Sequence, residues 1–436
     1  MTYAETIDFL FTSLPMFQRI GGAAYKADLE NTLRLDAHFG HPHRKFHTIH
    51  VAGTNGKGSV SHILASVLQS AGYKTGLYTS PHLLDFRERI KIDGEMIPEQ
   101  EVIGFVEEHR SLIEEIQPSF FEMTVAMAFD YFARRQVDVA VIEVGMGGRL
   151  DSTNIITPLV SVITNISHDH GQFLGDTLEK IAAEKAGIIK PGVPVVIGES
   201  QPETTPVFTE AAAEKQSPIL FADRVYRTES VTALQGGQNI VTKNTKNNQA
   251  LNYNLDLAGR YQEKNIKTVQ TVLDVLNEQR ILPVGDSAAR EGLRSVAEKT
   301  GLSGRWQVLG RRPLIVADTG HNEAGLREVA DQLAQTPHEK LYMVFGVVSD
   351  KELAKIWHVL PREAYYLFTQ AGIERALDAS LLGRQAFEQG FSGEIVRDIP
   401  AAVRIARELA GEDDLIFIGG STFTVAEALP IFIGKE

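Results

Sequence analysis

At 436 residues the chain is longer than one ordinary core, which points to two or three folded units. Its 43 basic against 56 acidic residues disfavour sequence-independent nucleic-acid binding, which depends on neutralising phosphates. The absence of cysteine excludes disulfides, thiolate metal sites and thiol nucleophiles, so any metal must be held by oxygen or imidazole.

No apolar run approaches the ~20 residues of a membrane span, and the opening MTYAETIDFLF lacks the basic n-region of a secretory signal. A cytosolic protein without a nucleic-acid or membrane partner is the expectation. Ile7, Leu10, Phe11 and Leu14 recur at helical spacing; a break at Gly21 and Gly22 follows, then a second helix from Asp28 to His38. His38, His41, His43, His47 and His50 share no periodicity that would bring them to one metal.

The next stretch, HTIHVAGTNGKGSVS, reads as a buried strand from His47 to Ala52, a glycine-rich turn from Gly53 to Gly58, and a helix from Ser59 onward. Glycines let backbone N–H groups converge on phosphate oxygens, the helix start adds unpaired donors, and Lys57 adds a full positive charge. Phosphate binding is therefore expected, although the spacing departs from G-x-x-x-x-G-K-[ST]. Val51 stands at the first glycine, and Gly58 separates Lys57 from Ser59.

A second strand, Thr75 to Thr79, leads into SPHLLDFRERIKIDGEMIP, whose prolines and glycine predict a lid or Ω-type loop. Ser80 falls at the strand's carboxyl end, where open α/β sheets bind ligands; a turn cap is the alternative reading. Helices are predicted over Glu99 to Gln117 and Phe120 to Arg135, the second burying Phe121, Val125, Ala128, Phe129 and Phe132. Asp138 to Val144 then reads as a central strand ending in Glu143. An ionised carboxylate there is costly unless it is metal-bound or paired, with Arg149 as the candidate partner.

The strand Leu159 to Thr164 ends in Asn165, His168, Asp169 and His170, so successive strands deliver Lys57, Glu143 and His170 to one edge, and His170 is read as a metal ligand. TLEKIAAEKAGIIK predicts a helix closed by Pro191, and Val193 to Ile197 another strand. From Ser217 to Leu257 the pattern turns to short β-prone pieces, and helices resume at Tyr261 to Glu278 and Asp286 to Glu298. A boundary is placed near Thr300 to Ser303. Beyond it, strands at Leu314 to Asp318, Leu341 to Gly346, Tyr365 to Thr369 and Leu415 to Gly419 alternate with helices. The expected fold is α/β throughout: a P-loop-type ATPase domain with a mostly parallel sheet over residues 1–299, and a smaller Rossmann-like domain over 300–436.

In this order and over these gaps, GTNGKGS, TSPH, EVGMGGRLDSTN, DHGQFLG and EKAGIIKPG resemble the folylpolyglutamate synthase and dihydrofolate synthase family, within the muramyl-peptide-ligase-like ATP-dependent amide ligases. The resemblance implies that Gly53, Thr54, Asn55, Gly56, Lys57, Gly58 and Ser59 hold ATP phosphates and that Ser80, Glu143 and His170 bind magnesium at two sites. It implies a carbamylated Lys185, an adenine contact from Asn265, further nucleotide contacts from Arg305 and Asp318, and His321 and Ser421 near the incoming amino acid. A monovalent cation and a monomeric state belong to the same expectation. The implied reaction joins L-glutamate to a folate or dihydropteroate carboxylate through an acyl phosphate.

The C-terminal wording departs from the family's: DTGHNEAG stands where DGAHNP is common, and GGSTFTVAE where GSLY-type text is usual. Two rivals stand beside this reading. A muramyl peptide ligase would need a nucleotide-sugar domain that the 46 residues before His47 are too few to form. A nucleotide-dependent switch protein would have no use for Glu143, His170 and Lys185.

Overall fold

The stretch His47–Ala52 forms the strand β1, buried from Thr48 onward, and the large sheet is assembled around it. The computed structural model describes residues 1–16 and 28–433; the expected Gly21–Gly22 break lies outside them. The chain packs as two compact units, residues 1–256 with 262–302, and residues 257–261 with 303–436.

In the first unit the strands are β1, β2 (Thr75–Tyr78), β3 (Ile90–Ile92), β4 (Glu95–Met96), β5 (Val139–Glu143), β6 (Val160–Ile163), β7 (Val195–Ile197) and β8 (Ile219–Phe221), in the spatial order β4-β3-β2-β5-β1-β6-β7-β8. All neighbours from β2 to β8 pair in parallel. Each parallel crossover needs a covering element, so these strands are buried on both faces, as in Val139–Glu143, buried at every residue.

Helix Phe120–Arg134 covers one face with Met123, Phe129 and Phe132, while Ile181, Ile188 and Phe208 pack with Ile163 and Ile197 in a second core. The expected helix over 99–117 is broken at His109 into Glu99–Glu108 and Arg110–Ile116.

The segment expected as a lid after Ser80 is irregular to Asp85, makes one turn at Phe86–Arg89 and then joins the sheet. Residues 90–96 form a hairpin on the edge of β2, with Tyr78 opposite Ile90 and Gly76 opposite Ile92. The sequence carries the reason: β-branched Ile90 and Ile92 flank Lys91, and Asp93-Gly94 supplies the left-handed turn, at φ 50° and 82°. The β-prone region resolves into a separate antiparallel sheet of β9 (Tyr226–Leu234), β10 (Gly237–Asn244) and β11 (Ala250–Leu255).

The second unit contains β12 (Gln307–Arg311), β13 (Leu314–Asp318), β14 (Leu341–Phe345), β15 (Tyr365–Phe368), β16 (Ser392–Ile395) and β17 (Leu415–Gly419), ordered β12-β13-β17-β14-β15-β16. Only β12 is antiparallel to its neighbour. The two strands that sequence reading missed, β12 and β16, are the edge strands. Their residues are half-exposed and lack a continuous apolar run. Val316, Met343, Phe345, Phe368 and Phe417 form the core.

Leu257–Tyr261 belongs with this unit because its polar groups are satisfied there. Gln332 accepts from Arg260 N at 2.8 Å and donates to Ala258 O at 3.0 Å, and the Tyr261 hydroxyl donates to Asp318 at 2.7 Å. No helix among the described residues is long and apolar enough to cross a membrane.

Candidate active site

Since β2, β5, β1 and β6 are parallel neighbours, the segments leaving their carboxyl ends emerge side by side: Ser80, Glu143, the loop 53–56 and Asn165–His170. Val51 lies opposite Glu143, and Ala52 opposite Ile163, so the loop starts level with both flanking strand ends. That edge is where an open α/β sheet presents a ligand crevice.

Two glycines are required by the loop's path. Gly53 sits at φ 146°, and a Cβ there would lie 1.8 Å from Thr164 Oγ1. Gly56 sits at φ 85°, and a Cβ there would lie 2.5 Å from Asn265 Oδ1. The helix that follows spans Lys57–Ser70, beginning two residues earlier than the sequence predicts, because left-handed Gly56 serves as its N-cap. Lys57 and Gly58 are therefore helical.

The loop is pinned to the end of β6. Thr54 N donates to Asn165 O (2.9 Å), Asn55 N to Asn165 Oδ1 (2.9 Å), and Thr164 Oγ1 to Asn55 O (2.6 Å). Ser59 is buried and accepts from Gln262 Nε2 at 3.1 Å, while Asn265 Nδ2 donates to Gln262 Oε1 at 2.7 Å.

Two lysines converge on one carbonyl. Lys57 Nζ donates to Gly53 O and Thr54 O, each at 3.1 Å, and Lys185 Nζ donates to the same Gly53 O at 2.9 Å. Lys185 is only 4% exposed; burial, followed by the charge on Lys57, pulls its pKa down to about 7. A lysine so placed is partly neutral at physiological pH. Its neighbour Asp151 is itself pushed up by burial and ties down the turn after β5 by accepting from Met146 N at 2.9 Å.

Glu143 is buried at 4% exposure and accepts from Ser80 N at 3.1 Å, which brings two of the expected metal ligands together. Arg149, its suggested ion-pair partner, bridges Glu184 at 2.9 Å. His170 has φ 52° and stands beside Asp169, with Nε2 3.7 Å from Oδ2. Among the described residues no three His, Asp or Glu side chains form a metal cluster of their own. His41 and His43 both take Asp36 as partner, each through Nδ1 at 2.6 Å.

Sequence reasoning passed over Arg89 and His82. Arg89 Nε donates to His82 Nδ1 at 2.7 Å, and its guanidinium lies 5.1 Å from the Phe120 ring centre. Burial pushes His82 down to about 3 and lowers Arg89. The signal available in the sequence was an arginine directly before the alternating Ile90 and Ile92.

In the second unit Asp318 opposes Gly419 across parallel strands, so 318–321 and 419–421 leave adjacent strand ends. Buried Asp318 accepts from Tyr261 OH, Trp306 N and Gly320 N, each at 2.7 Å, and burial raises its pKa. Arg305 donates to the Thr319 hydroxyl and to Gly304 O, and His321 Nδ1 donates to Thr319 O at 2.9 Å. Ser421 Oγ caps the helix Thr422–Ala428, accepting from Thr424 N at 3.0 Å. Thus Arg305, Asp318 and His321 gather around Thr319, and Ser421 occupies the neighbouring strand end.

Comparison with known proteins agrees with this architecture. Residues 51–273 match the Mur ligase middle domain, and residues 304–422 match the Mur ligase glutamate ligase domain. The dihydrofolate synthase/folylpolyglutamate synthase of Bacillus subtilis is 32% identical over 418 residues, covering 92% of this chain and 94% of that protein. Escherichia coli FolC, solved in complex with DHPP and ADP, superposes with a TM-score of 0.84 at 27% identity, over 99% of this chain and 97% of that one. A bifunctional folylpolyglutamate synthase/dihydrofolate synthase with Mn, AMPPNP and L-glutamate bound gives a TM-score of 0.83 at 28% identity, over 99% and 98%.

Proposed function

The chain belongs to the folylpolyglutamate synthase and dihydrofolate synthase family of Mur-type ligases, and from that premise we propose that it ligates L-glutamate to a folate or dihydropteroate carboxylate at the expense of ATP. The observation that carries the reading is the meeting of Lys57 and Lys185 on the Gly53 carbonyl, beside buried Glu143, at the carboxyl edge of the large sheet. The acceptor carboxylate attacks the γ-phosphate of ATP, giving an acyl phosphate and ADP, and the glutamate amine then displaces phosphate to form the amide.

The first step brings two anions together, so its barrier is chiefly electrostatic. Lys57, at the first turn of a helix whose N-terminal N–H groups face the loop, supplies a mobile positive charge. That charge rests on Gly53 O and Thr54 O, neutral acceptors that an anionic phosphate oxygen outcompetes.

A carboxylate, a hydroxyl and an imidazole fit a divalent cation, so Glu143, Ser80 and His170 would hold magnesium. Such a cation supplies neutralisation of the phosphate charge. Lys185, partly neutral near pH 7, has the nucleophilic amine that carbon dioxide needs to form a carbamate, and the modified side chain would offer oxygen ligands where an ammonium repels metal. The monovalent cation rests on the resemblance alone.

Nucleotide contacts are proposed for Asn265, Arg305 and Asp318, and contacts with glutamate for His321 and Ser421. We place the reaction in the cytosol and assign it to a monomer.

The test is ADP release from the purified protein with dihydropteroate or a reduced folate, each with and without L-glutamate. Turnover requiring both co-substrates is expected. ATP hydrolysis indifferent to both would move the protein to the switch class.

A further inference from the structure

Beyond the phosphate loop lies a polar chain that the proposed reaction does not require by its chemistry. It centres on Glu199, at the end of β7. Glu199 Oε1 accepts from Asn165 Nδ2 at 3.0 Å, and Glu199 Oε2 pairs with Lys264 Nζ at 3.1 Å. Each partner leads to the loop. Asn165 Oδ1 takes the Asn55 N–H at 2.9 Å, and Lys264 is followed by Asn265, against whose Oδ1 Gly56 packs too closely for any side chain.

The approach is tight on the β7 side as well. A Cβ at Gly198 would lie 2.3 Å from Thr164 O and 2.6 Å from Thr268 Oγ1. The end of β7 is thus held against both the strand that pins the loop and the helix that carries Asn265.

A primary amide can face either way, and only one orientation suits Asn55 N–H, which needs an oxygen. A carboxylate at 199 accepts and cannot donate, so it selects the orientation that puts Nδ2 toward itself and Oδ1 toward the loop. We infer that Glu199 is a positioning residue for nucleotide binding: it orients the Asn165 amide, thereby setting the Asn55 peptide, and through Lys264 it holds the start of the helix bearing Asn265. This inference rests on the loop being a nucleotide site, and it concerns binding alone.

The experiment measures ATP and ADP affinity by titration calorimetry on the full chain, alongside KM and kcat, for Glu199→Ala, Asn165→Ala and the double variant. Each single change is expected to weaken nucleotide binding about tenfold, the scale of one well-placed hydrogen bond to a charged group. KM for ATP should rise in step, with kcat and KM for the folate acceptor little changed. Because part of the Glu199 effect runs through Asn165, the losses in the double variant should be clearly less than additive.

Unchanged affinity in Glu199→Ala, or fully additive losses in the double variant, would overturn the inference. Glu199→Gln covers the case in which the alanine variant fails to fold. It keeps the volume but loses the charge pair and can itself donate, so it is expected to weaken binding at an unaltered melting temperature; binding at parental strength would again refute the role. A parent protein that binds ATP yet shows no ligation would overturn the proposed function and leave the Glu199 test intact. A parent that does not bind ATP would sink both.

Discussion

At the carboxyl edge of the large sheet two lysine side chains share the Gly53 carbonyl, and the charge on Lys57 disfavours that on Lys185. At the carboxyl edge of the six-stranded sheet the opposite arrangement holds. Asp318 accepts from three donors, Ser421 caps a helix, and each group is matched within its own unit. Packing alone gives no reason for the first arrangement, since a buried lysine beside a second lysine costs stability. The second is what a stable fold does with polar groups it must bury. Substitutions in the first cluster should therefore cost activity, and those in the second should first cost stability.

The largest effect is expected at Lys57. Lys57→Ala should lower ligation by more than about a hundredfold, the scale of removing a charge that acts in the transition state. Its effect on unfolding free energy should stay within about 1 kcal/mol, because the lysine's partners are loop carbonyls that water can serve. Normal ATP binding and ligation would show the loop to be misassigned and remove the contrast at its root.

Lys185 comes next. Lys185→Ala should lose most activity and regain part of it with formate or acetate, which restore a carboxylate to the vacated volume, while Lys185→Arg should stay inactive. Rescue by arginine alone would make Lys185 a phosphate clamp. The same residue carries a pH signature in stability. Its folded pKa of about 7 lies below the ordinary 10.5, so between those values the unfolded chain binds the additional proton and stability rises with pH. The advantage of Lys185→Met over the parent should be greatest below that window and shrink across it, as read from melting temperatures of the two proteins in matched buffers. An advantage that grew with pH would contradict the assigned direction.

In the second cluster Tyr261→Phe removes one of the three donors to buried Asp318, with an expected cost of about 1–3 kcal/mol in urea unfolding. Ser421→Ala should have the smallest effect, about 1 kcal/mol for the lost cap. KM for glutamate should rise in the same variant, as the contact proposed for the hydroxyl requires, and an unchanged KM would leave the cap as its role.

The phosphate loop was legible because its information is local. Glycines, a lysine and an apolar strand lie within a few residues of one another, and the strand bounds at His47–Ala52 follow from them directly. The motif residues Glu143 and Lys185 could be picked out, but not their surroundings. The depressed pKa of Lys185 depends on burial beneath a loop more than a hundred positions away in sequence. Arg89 was passed over because a segment rich in Pro, Gly and charge reads as a loop, although Asp93-Gly94 between isoleucines was a hairpin signal in plain view. Glu199 had no local signature, being one carboxylate after an ordinary strand.

The sequence by itself determined the central strands of both sheets and which polar residues stand at their carboxyl ends, because apolar runs and turn residues act over short distances. It also carried the motif order on which the family resemblance rests. Only the tertiary structure decided that β5 lies between β2 and β1, bringing Glu143 beside the loop and Ser80 beside Glu143, and that Leu257–Tyr261 packs with Asp318 and Gln332. Parallel neighbours are joined through long crossovers, so their adjacency is settled by covering both faces of the sheet and satisfying every buried polar group at once, which no short stretch of chain encodes.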